Sequence, residues 1–190
     1  MDYRTKPISR EKLRNYAGMI RKLFKCRNKY FFNVVSAFEV FPIWFPNVSI
    51  EIVCDDDPEL KDVPATTIPD FNGNYCIKVK ESVYNYAHFK KNGGYRMHIM
   101  HEMCHVFLFM LGYLPCIDRT YKNNELTPYE SVEWQAKALA GEVLIPYEST
   151  KGLSLNQIVK KCKVSKDAAK KRIDLNKREE WCYVYKYSKQ

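Results

Sequence analysis

The chain has 190 residues, 46% of them apolar, with 31 Lys/Arg against 22 Asp/Glu and a net charge of +9. That is enough for one compact unit with a real core, and no apolar run approaches the ~20 residues of a membrane span. The opening stretch MDYRTKPISREKL lacks the apolar run of a signal peptide, and seven scattered cysteines without a CxxC pair argue against a disulfide framework or a thiolate zinc site, so a soluble cytoplasmic protein with reduced thiols is expected.

The charge is unevenly placed. Residues 1–40 carry 10 Lys/Arg and 3 acids, residues 41–150 carry 9 and 15, and residues 151–190 carry 12 and 4. Basic ends around an acidic middle can steer a polyanion to the ends or a cation to the middle, although solvated helical faces are the commoner cause.

In chain order, Ser9 to Phe24 sets Leu13, Ala17, Ile20 and Phe24 at helical spacing among basic residues, which predicts an amphipathic helix. A second helix is predicted from Phe31 to Phe41, stopping at Pro42. Val48, Ile50 and Ile52 alternate with polar residues as in a half-buried strand. The acidic stretch CDDDPELKDVP lacks the spacing and Gly of a calcium loop and reads as solvated. ATTI and YCIKVK around DFNGN form the pattern of a hairpin with Asn-Gly turn chemistry, which makes three strands.

A short helix is expected from about Ser82 to Lys90, ending at Asn92-Gly93-Gly94, and another from about Tyr95 to Leu111, closed by Gly112 as a left-handed cap. Thr127, Pro128 and Glu130 have the pattern of a capping box that starts a helix running to about Leu144. Ser154 and Ser165 each precede a further helical pattern, and WCYVYKY reads as a strand with Trp181, Tyr183, Tyr185 and Tyr187 on one face. The fold class expected is α+β: a small three-stranded sheet on a helical core, residues 1–150, followed by a basic helix-turn-helix-like tract with a C-terminal strand, residues 151–190, packed on the first.

The chemistry concentrates in MHIMHEMCHVF, Met97 to Phe107. His101 and His105 are four apart, so one helix points both imidazoles the same way, the geometry for gripping one metal ion. Glu102 points past such an ion, where it can hold and deprotonate a water. Two His and a Glu in an apolar helix would be costly to bury without partners, which favours a metal over satisfied core histidines. His98 shares the stripe but lies about 10 Å from His105 along the axis, whereas nitrogens on one zinc lie within about 4 Å of each other. The third ligand therefore comes from another element. On the helix YESVEWQAKALAGEVLIP, Glu133 shares a face with Ala136 and Ala140, small residues that permit close helix approach. Glu130 competes but is accounted for by the capping box, and Glu142 lies two turns on, so Glu133 is assigned.

These residues resemble the ImmA/IrrE-type metallopeptidases, zincins with a Glu third ligand. The resemblance extends from the N-terminal helix to about residue 176. IKVKESVYNYAHFKKNGGYRMHIMHEMCHVFL resembles the family's strand, short helix and active-site helix, with Arg96 at its usual place five residues before the first His; EWQAKALAGEVLIP resembles the ExxANxFAAxLLMP signature, and LSLNQIVKKCKVSKDAAKKRIDLN the helix-turn-helix-like tract that commonly follows. Cys104, Lys137, Leu139 and Ile145 depart from that pattern without removing a ligand or the base. The resemblance implies a Zn2+ cofactor and cytoplasmic proteolysis of a DNA-binding repressor. Tyr113, Tyr121, His88 and His98 are the candidates for the oxyanion donor such a mechanism requires. A rival reading is a regulator that binds DNA or the repressor through residues 154–178, with a structural or vestigial zinc site; solvated lysine faces account more simply for that tract.

Overall fold

A computed structural model describes residues 2–70, 72–90, 93–116 and 126–187, with side chains described as far as residue 179. The architecture is α+β. Helices α1 (Arg10–Leu23) and α2 (Val34–Trp44) precede strand β1 (Val48–Val53); strands β2 (Ala65–Pro69) and β3 (Tyr75–Lys80) lead into α3 (Glu81–His88) and the long α4 (Gly93–Met110). After the segment at 117–125 come α5 (Val132–Leu144), the single turn α6 (Tyr147–Thr150), α7 (Leu155–Cys162) and α8 (Lys166–Tyr187).

The sheet order is β1-β3-β2, so β3 is central. It pairs in parallel with β1, Val48 opposite Tyr75, and antiparallel with β2, Thr67 opposite Ile77. The β2–β3 hairpin is the predicted one, with Gly73 at φ +80° where a side chain would be strained and Asp70 accepting from the backbone of Asn72 and Asn74. Along β3, Tyr75, Ile77 and Val79 are buried while Cys76, Lys78 and Lys80 are half-exposed, so one face meets the core. Helix α4 packs on that face and against α2, α3 and α5. Its Ile99, Met100, Met103, Cys104 and Val106 are fully buried; a helix apolar on nearly every side belongs at the centre. On the far side of α5 lies α1, which buries Leu13, Ala17 and Ile20.

Four sequence expectations are corrected. Pro42 lies inside α2, which runs another turn to Trp44. Proline forfeits one hydrogen bond, but Phe38 and Phe41 are fully buried and Trp44 stacks on Phe24 at 4.9 Å, which holds the last turn in place. Helix α4 begins at Gly93 rather than Tyr95, because the glycine lies against the α7–α8 turn: a Cβ there would sit 2.8 Å from Val164 Cα. Thr127 to Glu130 forms a separate 3-10 turn in which the Thr127 hydroxyl donates to the Glu130 carboxylate, and α5 starts instead at Val132, with Ser131 accepting from Trp134 N at 2.9 Å. The C-terminal strand is absent, since α8 is helical to Tyr187: no Gly or Pro interrupts the chain after Ser165, so the helix propagates.

The C-terminal tract is fastened to the rest by polar contacts. Arg96, buried at the start of α4, donates to the carbonyl of Lys163, and Arg172 of α8 donates to Glu142 of α5. The six cysteines whose side chains are described are free thiols. Among the described residues no helix is long and apolar enough to cross a membrane.

Candidate metal centre

Helix α4 delivers His101 and His105 to one point. Their Nε2 atoms are 3.0 Å apart, with the rings nearly perpendicular. Glu133, in the first turn of α5, meets both from across the helix pair: Oε2 is 3.1 Å from His101 Nε2 and Oε1 is 3.4 Å from His105 Nε2. The approach rests on small residues, since Ala136 and Ala140 are fully buried on α5. These contacts hold the Glu133 carboxyl well below its ordinary range, through hydrogen bonds from His101 and then His105, against the opposing effect of burial. His105 is buried, His101 partly so, and half of the Glu133 side chain is exposed, so the cluster opens to solvent on the α5 side.

The start of α5 is fixed from the N-terminus. Val132 N donates to Tyr3 O, Thr5 N to Glu130 O, and Asp2 accepts from the Ser131 hydroxyl and from Glu133 N. This strap sets where Glu133 begins its reach. Glu130, the competitor, is turned away to Arg4 and Thr127. Glu142 is buried among Arg10 at 3.1 Å, Arg14 at 3.5 Å and Arg172 at 2.8 Å.

Glu102 also lies close, with a carboxylate oxygen within 4.8 Å of both imidazole nitrogens. Two carboxylates thus flank the histidines, and their partners distinguish them. Glu102 is buried and its Oε2 accepts from the Thr67 hydroxyl at 2.8 Å, which ties it to strand β2, whereas among the described residues the Glu133 oxygens face the two Nε2 atoms. Thr67 was not foreseen: a threonine in ATTIP carries no mark that it will meet a glutamate 35 residues on.

His98 sits one turn before His101 on α4; burial lowers its pKa, helped by the charges of His101 and Lys137. Of the other oxyanion candidates, Tyr113 faces Tyr16, hydroxyl to hydroxyl at 3.5 Å, with the Lys12 ammonium over its ring, and His88 stacks on Tyr84 in α3. Tyr121 lies outside the described residues. His105 Nδ1 is buried and finds no hydrogen-bond partner among the described residues.

The donor set fits a metal. Two imidazoles and one carboxylate are the protein ligands of a class of catalytic zinc sites, and atoms bound at about 2.0–2.1 Å around a tetrahedral ion are separated by roughly 3.3 Å. The observed separations are 3.0, 3.1 and 3.4 Å.

Residues 87–174 match the model of a peptidase family described as the IrrE N-terminal-like domain. This segment is similar to an IrrE N-terminal-like domain. The match runs from the end of α3 into α8 and so takes in the His-Glu-His cluster and Glu133, while β2 with Thr67 lies before it. No curated protein matches the chain. Similarity to a domain of a peptidase family, together with a potential metal cluster inside the matched segment, supports a metallopeptidase-type hydrolase.

Proposed function

We propose that the chain is a zinc-dependent endopeptidase acting on a cytoplasmic protein, with His101, His105 and Glu133 as metal ligands and Glu102 as general base. The observation that carries this reading is the convergence of two imidazole nitrogens 3.0 Å apart with the Glu133 carboxylate, one oxygen 3.1 Å from His101 and the other 3.4 Å from His105, drawn from two helices and open to solvent on one side. Bound there, zinc would supply Lewis acidity to a peptide carbonyl and lower the pKa of water toward about 7.

The chain's own residues do the rest. Glu102 accepts a proton from the attacking water and returns it to the leaving amine. The Thr67 hydroxyl donates to the Glu102 carboxylate and keeps it from rotating onto the imidazoles. Because β2 is an edge strand, Thr67 also lies at the rim of the sheet where substrate has access. By analogy with the ImmA/IrrE-type peptidases, the substrate in this reading is a helix-turn-helix repressor. Residues 151–190 then act as a packed extension, since the α7–α8 turn is pressed against Gly93 and Arg96 instead of being free to enter a DNA groove.

Metal analysis of the purified wild type beside Glu133→Ala tests the site. The wild type should hold one equivalent of zinc and the variant little. Wild type without zinc, or a variant that retains it fully, overturns the assignment. Cleavage of a co-expressed repressor that is lost in Glu102→Gln, with zinc retained, would support the catalytic role.

A further inference from the structure

Beside the candidate metal centre a cleft of ≈ 450 Å3 opens between the first turns of α4, the body of α5 and the start of α8. None of the residues of the centre lines it, but its lining is adjacent to theirs in the chain. His98, at its edge, is one turn from His101; Trp134 follows Glu133 directly, and Lys137 is one turn beyond Glu133 on the same helix. Its walls are apolar, formed by Met97, Trp134, Leu144, Ile145, Val164 and Leu175. Volume and lining suit a peptide side chain rather than water alone.

The polar groups around the cleft are mostly cationic. Arg10 and Arg172 line it but are engaged by Glu142. Lys137 and Lys171 are exposed at its margin, and among the described residues neither forms an ion pair. Asp167 is the carboxylate of the lining and offsets part of that charge. Apolar walls beneath unpaired ammonium groups are complementary to a segment that buries an aliphatic side chain and keeps a carboxylate at the margin.

We propose that this cleft is the specificity subsite of the peptidase and takes a stretch of the protein substrate in which an apolar side chain is flanked by an acidic one. The assignment rests on the metallopeptidase reading for its role in cleavage, but the binding preference itself is read without the metal.

Four fluorescein-labelled peptides serve as probes: Leu-Glu-Leu and Leu-Lys-Leu, each ending either in a zinc-binding hydroxamate or in a plain carboxamide. Fluorescence anisotropy with the zinc-loaded full chain should show the Glu peptides bound about ten-fold more tightly than the Lys peptides, a modest electrostatic preference for partly exposed charges. The double reversal Lys137→Glu with Lys171→Glu should invert the order, with zinc content unchanged. A second variant, Gly141→Phe, fills the cleft from α5, where an added Cβ meets nothing within 4 Å and glycine is the weaker helix former. It should weaken both peptides by about ten-fold. Equal affinity for Glu and Lys peptides in the wild type, a preference that survives the double reversal, or affinities that Gly141→Phe leaves unchanged, overturns the subsite. A hydroxamate that adds nothing over the carboxamide overturns the metal reading instead, and leaves the Glu-to-Lys ratio of the carboxamides to decide the cleft.

Discussion

Glu133 and Glu142 stand on the same helix, α5, and in opposite chemical situations. Glu142 has 1% of its side chain exposed and is surrounded by the guanidinium groups of Arg10, Arg14 and Arg172, which bring α1 and α8 against α5. Its charge is balanced by the protein itself. Glu133 has 52% of its side chain exposed and faces two imidazole nitrogens that also face each other. Two imidazole nitrogens and a carboxylate converge there, the donor set of a class of catalytic zinc sites. A buried carboxylate whose charge three guanidinium groups balance is architecture. One that shares a point with two imidazole nitrogens is the candidate metal ligand.

That contrast can be broken by experiment, and the largest effect belongs beside the convergent site. Glu102→Gln keeps the shape and the Thr67 contact but removes the proton acceptor. On the proposed reading, cleavage of the protein substrate should fall by roughly 10²–10⁴-fold, with zinc content unchanged by metal analysis. A variant that cleaves at the wild-type rate would remove Glu102 from catalysis.

Glu142→Ala comes next and acts on stability. It leaves Arg172, only 3% exposed, and the partly exposed Arg10 without their counter-ion, while Arg14 keeps Glu179. Losing one partner of a buried ion pair costs about 3–5 kcal/mol, which for a chain of this size lowers the melting temperature by roughly 10 °C. Thermal denaturation measures it directly. A shift of only a degree or two would mean that the arginines are solvated, and that α8 is held by its apolar contacts.

These two residues also show where sequence reasoning reaches and where it stops. The alternation in YCIKVK, the four-residue spacing of His101 and His105 and the turn at Gly112, with φ +81°, are local patterns, and the structure has each of them as read. Glu133 could be found because its face on α5 is otherwise small. Glu142 could be named only as a weak competitor for the metal, since its partners lie 132 and 30 residues away and nothing near it in the chain announces three arginines. The same distance hid Thr67. The tail failed for another reason: an alternating aromatic run fits a strand by period, but the residues before it are strong helix formers and the helix runs on through it. Pro42 was misread because burial of Phe38 and Phe41 outweighs one lost hydrogen bond.

A smaller effect tests Thr67. Thr67→Val removes the hydroxyl that donates to Glu102 at 2.8 Å while keeping the shape. A hydrogen bond to a charged group contributes about 1.5–3 kcal/mol, so kcat should fall by about ten-fold or somewhat more. KM and metal content should stay level, and Thr67→Ser should restore the rate. A fall that serine does not reverse would mean that β2 has shifted, and that the hydroxyl is not what positions the carboxylate.

The smallest expected change is the sharpest test of the comparison. In metal-free protein Glu133→Gln replaces a half-exposed carboxylate that meets two imidazoles, so stability should fall by no more than about 1 kcal/mol, the range of partly exposed ion pairs. Adding zinc should then separate the two proteins. A ligand that binds only the folded chain stabilises it in proportion to the logarithm of its concentration over Kd, so the wild type's melting temperature should rise with zinc well above that of Glu133→Gln. If both rise equally, the third ligand lies elsewhere, and Glu102 is the carboxylate to examine, because its oxygen is within 4.8 Å of the same two nitrogens. If instead Glu133→Gln proves as destabilising without metal as Glu142→Ala, the two carboxylates differ only in exposure, and the argument that one of them awaits a cation fails.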